Sequence, residues 1–205
     1  MEDLVTIREK INEMAGLTLS MLKTTFDGFM KHDLDILASV LKDEHRLNDM
    51  ERTITLSLIE LAKTKISDND KKNIMHLSDI VADLEEIGDY VKDMIERIEI
   101  KIQERLLFTE EALSEYKHLY SAMETALCDA VNSLKMKDKN FAKRVLCDGE
   151  HVDILVGKYG QTHTYRLISG ICDPRAGNMF VDLLDFGGQI FHHTKSIANN
   201  ILELK

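Results

Sequence analysis

The chain has one proline, no tryptophan and ten glycines in 205 residues. So little turn punctuation disfavours many short strands and favours a few long helices. Cysteine is also scarce. Cys128, Cys147 and Cys172 are odd in number and form no CxxC pair, which argues against a disulfide framework or a zinc ribbon. They read as reduced thiols of an intracellular protein. No stretch approaches the roughly 20 apolar residues of a membrane span, and the N-terminus lacks the apolar core of a signal peptide. The expectation is a soluble cytoplasmic chain. Basic residues are outnumbered, 26 Lys and Arg against 36 Asp and Glu, for a net charge of −10. That balance argues against nucleic-acid binding, which needs clustered cations, and suits a bound cation or a basic partner surface.

What is present is helical periodicity. A helix over about Asp33 to Lys65 places Ile36, Val40, Asp43, Leu47, Met50, Ile54 and Leu58 on one face, with Asp43 as its only charge. An ionised carboxylate on a packed seam is costly unless paired, hydrogen-bonded or metal-bound. The pattern recurs 105 residues later in Phe141, Val145, Asp148, Val152, Leu155 and Tyr159, with Asp148 as the only charge. Two acids in one register suggest a duplicated site.

Six long helices follow from the stripes and caps. The first runs from about Asp3 to Met30, and Asp33 caps the second. The Ser67-Asp68-Asn69-Asp70 turn leads into a third helix, to about Glu104, with an unbroken stripe from Leu77 to Ile98. Thr109 caps the fourth. The Lys137 to Asn140 turn opens the fifth, which ends near Gly170. Asp173-Pro174 opens the sixth, with proline at the first helical position. Helices two and five align at an offset of 105, and helices three and six at 103, pairing Asp79 with Asp182 and Asp89 with His192. The fold class is therefore all-α, two tandem three-helix bundles of up-down packing, 1–106 and 107–205, packed as one unit.

Polar residues collect on these helices. Asp43, Glu44 and Asn48 of the second helix face candidates on the third. Glu85 and Asp89 share one face there, and Asp79 and Asp83 form another pair. Oxygen donors from two adjacent helices suit Mg, Ca, Mn or Fe. The same acids, with Glu86 and Asp93, also describe a solvated acidic face. In the second half, Asp148, Glu150 and Asp153 face Asp182, Asp185, His192 and His193, a mixed imidazole and carboxylate set suited to Zn, Fe or Mn. His163 lies about three turns beyond Asp153 and reads as structural or as part of another surface. Glu115 and His118 make one Glu-x-x-His, where di-iron bundles need two such motifs and two further Glu. His45 suits a phosphotransfer histidine, the rival reading. No glycine-rich phosphate loop or nucleophile elbow is present, and nothing asks for an enzyme.

The stretch Asp43-Glu44-His45-Arg46-Leu47-Asn48-Asp49-Met50-Glu51, with Leu84-Glu85-Glu86-Ile87-Gly88-Asp89, resembles the paired signatures of the PhoU family of phosphate-uptake regulators. Val145 to Asp153 and His193 to Ala198 resemble its duplicate. The resemblance implies two three-helix bundles and multinuclear metal sites, iron or zinc in some members. It also implies a cytoplasmic brake on phosphate import and signalling, through contact with a phosphate transporter or sensor kinase. The first site would use Glu44, Asn48, Glu85 and Asp89, and the second retains Asp153. Gly149, Gly188 and His192 stand where Glu44, Glu85 and Asp89 have their counterparts, so the second site would be rebuilt with Asp148, Asp182 and histidine. Gly170-Ile-Cys-Asp and Gln189-Ile-Phe-His-His are similar to PhoU-like domains attached to sodium–phosphate cotransporters. The chain then reads as a free-standing relative or an excerpt of a cotransporter, peripheral to the membrane through its partner, with a homodimer also expected.

Overall fold

The computed structural model describes residues 3–205, apart from the side chains of 148–151. Six helices follow in order: α1 (Leu4–Lys31), α2 (Leu34–Ala62), α3 (Asp68–Gln103), α4 (Glu110–Met136), α5 (Lys139–Ile168) and α6 (Pro174–Glu203). Each starts where a short polar side chain accepts hydrogen bonds from orphan N–H groups of the first turn. The caps are Asp3, Asp33, Ser67, Thr109, Asp138 and Asp173. The boundaries fall within three residues of the sequence reading. α2 stops at Ala62 because Thr64 turns back, its N and Oγ1 both bonding to the Leu61 carbonyl.

The duplication is visible in the backbone. His32 and Lys137 both take the left-handed conformation, φ 53° and 54°. Each is followed by an aspartate N-cap, Asp33 and Asp138, at the offset of 105 read from the sequence. Val40 and Val145, 105 apart, are both fully buried. Within each half the three helices pack on one another, and the halves join through α1 against α4 and α3 against α6.

The two joins differ in chemistry. At α1–α4 an aromatic cluster bridges the halves: Phe26 stacks on Tyr120 at 3.6 Å, and Phe29 meets Tyr116 edge-on at 4.9 Å. At α3–α6, Tyr90 touches Phe186 and His193, and ion pairs flank the apolar seam. Leu77, Ile80, Leu84, Ile87, Val91, Met94 and Ile98 of α3 are all buried, as the stripe requires. So are Phe180, Leu183, Gly187, Ile190, Thr194, Ile197 and Ile201 of α6.

One close approach sets the spacing of α2 and α3. A Cβ on Gly88 would run into Leu47 Cδ2, so the Leu47 side chain of α2 packs into the space that glycine leaves open on α3. That contact brings the polar residues of α2 and α3 within reach of each other.

Candidate functional site

The buried acid of α2 is Glu44, one residue from the expected position. Glu44 is 3% exposed, and the seam runs Leu37, Val40, Glu44, Leu47, Ile54, Leu58, while Asp43 is half-buried at its edge. A step of three from Val40 suggested Asp43; the helix realises the step of four, which lies equally on the stripe.

Glu44 is satisfied within the fold. Asn48 Nδ2 donates to its Oε1 at 2.9 Å, His45 Nδ1 lies 3.2 Å from Oε2, and Lys92 Nζ lies 3.5 Å from Oε1. Lys92 also reaches Asp89 Oδ1 at 3.3 Å. Burial works against the Lys92 ammonium, yet the Asp89 hydrogen bond and the charges of Asp89 and Glu44 hold its pKa above the ordinary lysine value. Lys92 joins the α2 and α3 acids into one network. Its reach to Glu44 is invisible in the spacing of either helix.

The face remains rich in negative charge. Partial burial first, then Asp89, Glu86, Glu51 and Glu44, push the Glu85 carboxyl above its ordinary range. Asn48 Oδ1 is buried without a hydrogen-bond partner. Glu44, Asn48, Glu85 and Asp89 are thus neighbours as expected, with Glu51 and Lys92 added.

The second-half residues are placed differently. Asp182 pairs with Arg97 of α3 at 2.7 Å, and His193 Nδ1 bonds Asp83 of α3 at 2.9 Å. Both therefore tie α6 to the first half. Asp153 is exposed and pairs with Lys195 at 2.9 Å. His192 and Asp185 are exposed, and the His192 ring meets the His193 ring edge-on. The side chains of Asp148 and Glu150 lie outside the described residues. Asp79, expected to pair with Asp83, is exposed, while Asp83 turns to α6.

The remaining polar candidates are occupied structurally. His163 is 3% exposed against the Phe180 ring, and burial, then Arg166, lower its pKa. Glu115 accepts from Thr162 Oγ1 at 2.8 Å and pairs with Arg166 at 2.7 Å, while His118 Nδ1 lies 2.6 Å from Tyr159 Oη. The Glu-x-x-His spacing is thus used to hold α4 to α5. The His45 side chain is solvent-facing on the rim of the acidic face.

Among the described residues, no three His, Cys, Asp or Glu side chains are grouped so as to hold a metal ion. As they stand, the donors of the first-half face do not fit a metal cluster, because Lys92 lies between Glu44 and Asp89.

Comparison with known proteins bears on this face directly. The PhoU domain family matches residues 11–98, the stretch that holds Glu44, Asn48, Glu85 and Asp89. A phosphate-specific transport system accessory protein PhoU homolog of Rhizobium meliloti (strain 1021) is 32% identical over 98 residues, 47% of this chain and 41% of that protein. The matched stretch therefore spans less than half of that relative. Among solved structures, PhoU from Pseudomonas aeruginosa superposes with a TM-score of 0.90 at 22% identity, over 98% of this chain and 96% of the other. The phosphate transport system regulatory protein PhoU from Streptococcus pneumoniae gives 0.85 at 13% identity, over 98% and 94%. Residues 11–98 thus match the PhoU domain family, and nearly the whole chain shares the fold of the solved PhoU structures.

Proposed function

We propose that the chain is a non-catalytic regulator of phosphate transport that restrains a phosphate transporter, its sensor kinase, or both, by docking the acidic α2–α3 face on a basic surface. The observation that carries the reading is the concentration of Glu44, Glu51, Glu85, Glu86 and Asp89 on one face beside Lys92, where burial first and then these charges raise the Glu85 pKa. Such a face gains when a further cation arrives. The cytoplasmic loops of a transporter carry an excess of Lys and Arg, which supplies one. That the similar Rhizobium meliloti protein is named as a transport-system accessory supports the same partner class. In this reading the protein acts on the cytoplasmic side and reaches the membrane only through its partner. No helix of the described residues is long and apolar enough to cross a membrane.

The test is binding of the chain to the detergent-solubilised transporter across a salt series. Docking through complementary charge weakens as salt rises. Glu85→Gln/Asp89→Asn is expected to weaken it by about tenfold or more, with helicity retained. Salt-independent binding, or binding unchanged by the substitutions, would overturn the reading.

A second reading rests on Asn48 Oδ1, buried without a partner beside this face. In it, iron, zinc or manganese, with magnesium as a lesser candidate, supplies the missing cation at Glu44, Asn48, Glu85 and Asp89 after Lys92 moves aside. Elemental analysis of chelator-free protein decides it. Stoichiometric metal that is lost in Glu85→Gln/Asp89→Asn favours this reading, and its absence after reconstitution leaves the acids as a docking face alone.

A further inference from the structure

Four basic side chains of this acidic chain line a cavity between the halves. It has a volume of about 230 Å³ and is walled by α1, α3, α4, α6 and the α4–α5 turn. Its floor is apolar, made by Ile11, Leu77 and Ile201, each at most 4% exposed. Its charged side chains are Arg8, Lys137, Lys139 and Lys205, and the adjoining cavity that shares Arg8, Lys137 and Lys205 also carries Glu9 and Asp70. In a chain of net charge −10, four basic side chains lining one cavity is a local excess of positive charge that packing alone does not require.

Part of that charge has a structural use. Lys139 Nζ donates to the Leu202 carbonyl at 2.7 Å and the Leu204 carbonyl at 2.5 Å, closing the end of α6. Lys137 sits at the α4 C-cap, where a cation complements the helix dipole. Arg8 has no such role. It lies in the second turn of α1, where the dipole disfavours a cation, and its Nε is buried without a hydrogen-bond partner. A guanidinium facing a cavity, with a donor unmet, over an apolar floor, is the arrangement that recognises a planar or tetrahedral anion bearing a hydrocarbon group.

We propose that this cavity binds a small organic anion with one phosphate or carboxylate head and a short apolar chain. The head meets Arg8 and Lys137, with Asn12 beside them on the lining. The chain lies on Ile11, Leu77 and Ile201. Because the walls come from both three-helix units, the bound anion fixes one half against the other. The site is separate from the α2–α3 acidic face, and either proposal stands without the other.

The probe is hexyl phosphate, titrated calorimetrically into the whole chain, with inorganic phosphate and hexanol as its two fragments. Hexyl phosphate is expected to bind at least about tenfold tighter than either fragment and to raise the thermal midpoint by mass action. Arg8→Met/Lys137→Met keeps the aliphatic stems and is expected to weaken binding by about tenfold or more. Lys117→Met/Lys143→Met, the same charge change on exposed faces of α4 and α5, is expected to leave it unchanged. Circular dichroism of each variant verifies the fold. Four results would each overturn the proposal: no binding of hexyl phosphate, equal binding by inorganic phosphate, equal loss in both double variants, or binding to anionic vesicles without binding to the monomeric probe.

Discussion

Glu44 carries a carboxylate into an α2 seam that is otherwise apolar, and the fold answers it with Asn48, His45 and Lys92. Glu85 nearby is less well served. A carboxyl whose pKa is raised in the fold binds more protons folded than unfolded. Its contribution to stability is therefore fully present below the ordinary value of 4.5 and is lost as pH rises through the folded value. Glu85→Gln removes that loss, so it is expected to raise the thermal midpoint at neutral pH and to flatten its pH dependence above 4.5, while weakening docking. Lys101 shows the converse sign. It is 5% exposed between the Phe29 and Phe108 rings, bonded to His32 Nε2 at 3.3 Å, and burial lowers its pKa. Stability therefore rises with pH between the folded value and the ordinary 10.5. Lys101→Met should abolish that alkaline rise, which thermal melts across the alkaline range would read. The acidic residues of the first-half face were legible in the sequence because Glu44 with Asn48, and Glu85 with Asp89, each share a helical face. The position of the seam acid was not, since steps of three and four from Val40 serve a stripe equally well and only the packing of α2 on α1 and α3 chooses between them.

At the scale of elements, boundaries and caps follow from local chemistry. Asp33, Thr109 and Asp173 are readable as caps because Asp and Thr side chains satisfy first-turn N–H groups. Register between helices is a different matter. Gly88 passes for an ordinary helix weakness in the sequence, but it leaves the space that the Leu47 side chain of α2 fills. Gly88→Ala should force Leu47 aside and cost about 1–3 kcal/mol, measured by urea unfolding. Gly157, within α5, has open space where a Cβ would stand. Gly157→Ala should instead stabilise by about 0.5–1 kcal/mol. Equal effects of the two substitutions would contradict the close approach. The second-half acids show why helix pairing is hard to read from spacing. Asp182 and His193 share α6 with the expected partners of α5, yet they turn to Arg97 and Asp83 of α3. Which neighbour a helix face meets depends on how the two halves join, and no local pattern encodes that join.

Across the whole molecule, charge is distributed by location. Acids dominate the outer α2–α3 face around Lys92, and cations dominate the cavity where the halves meet. The α3–α6 join is fastened by pairs that cross it, and the α1–α4 join by stacked aromatic rings. In the proposed reading, the double bundle presents its acidic α2–α3 face to a basic partner through complementary charge. The most direct test is phosphate uptake by cells that lack the chain and are supplied with wild type or with Glu85→Gln/Asp89→Asn at matched expression. The account predicts that wild type lowers uptake and that the double variant, folded and present, leaves it high. Equal restraint of uptake by both proteins would contradict it.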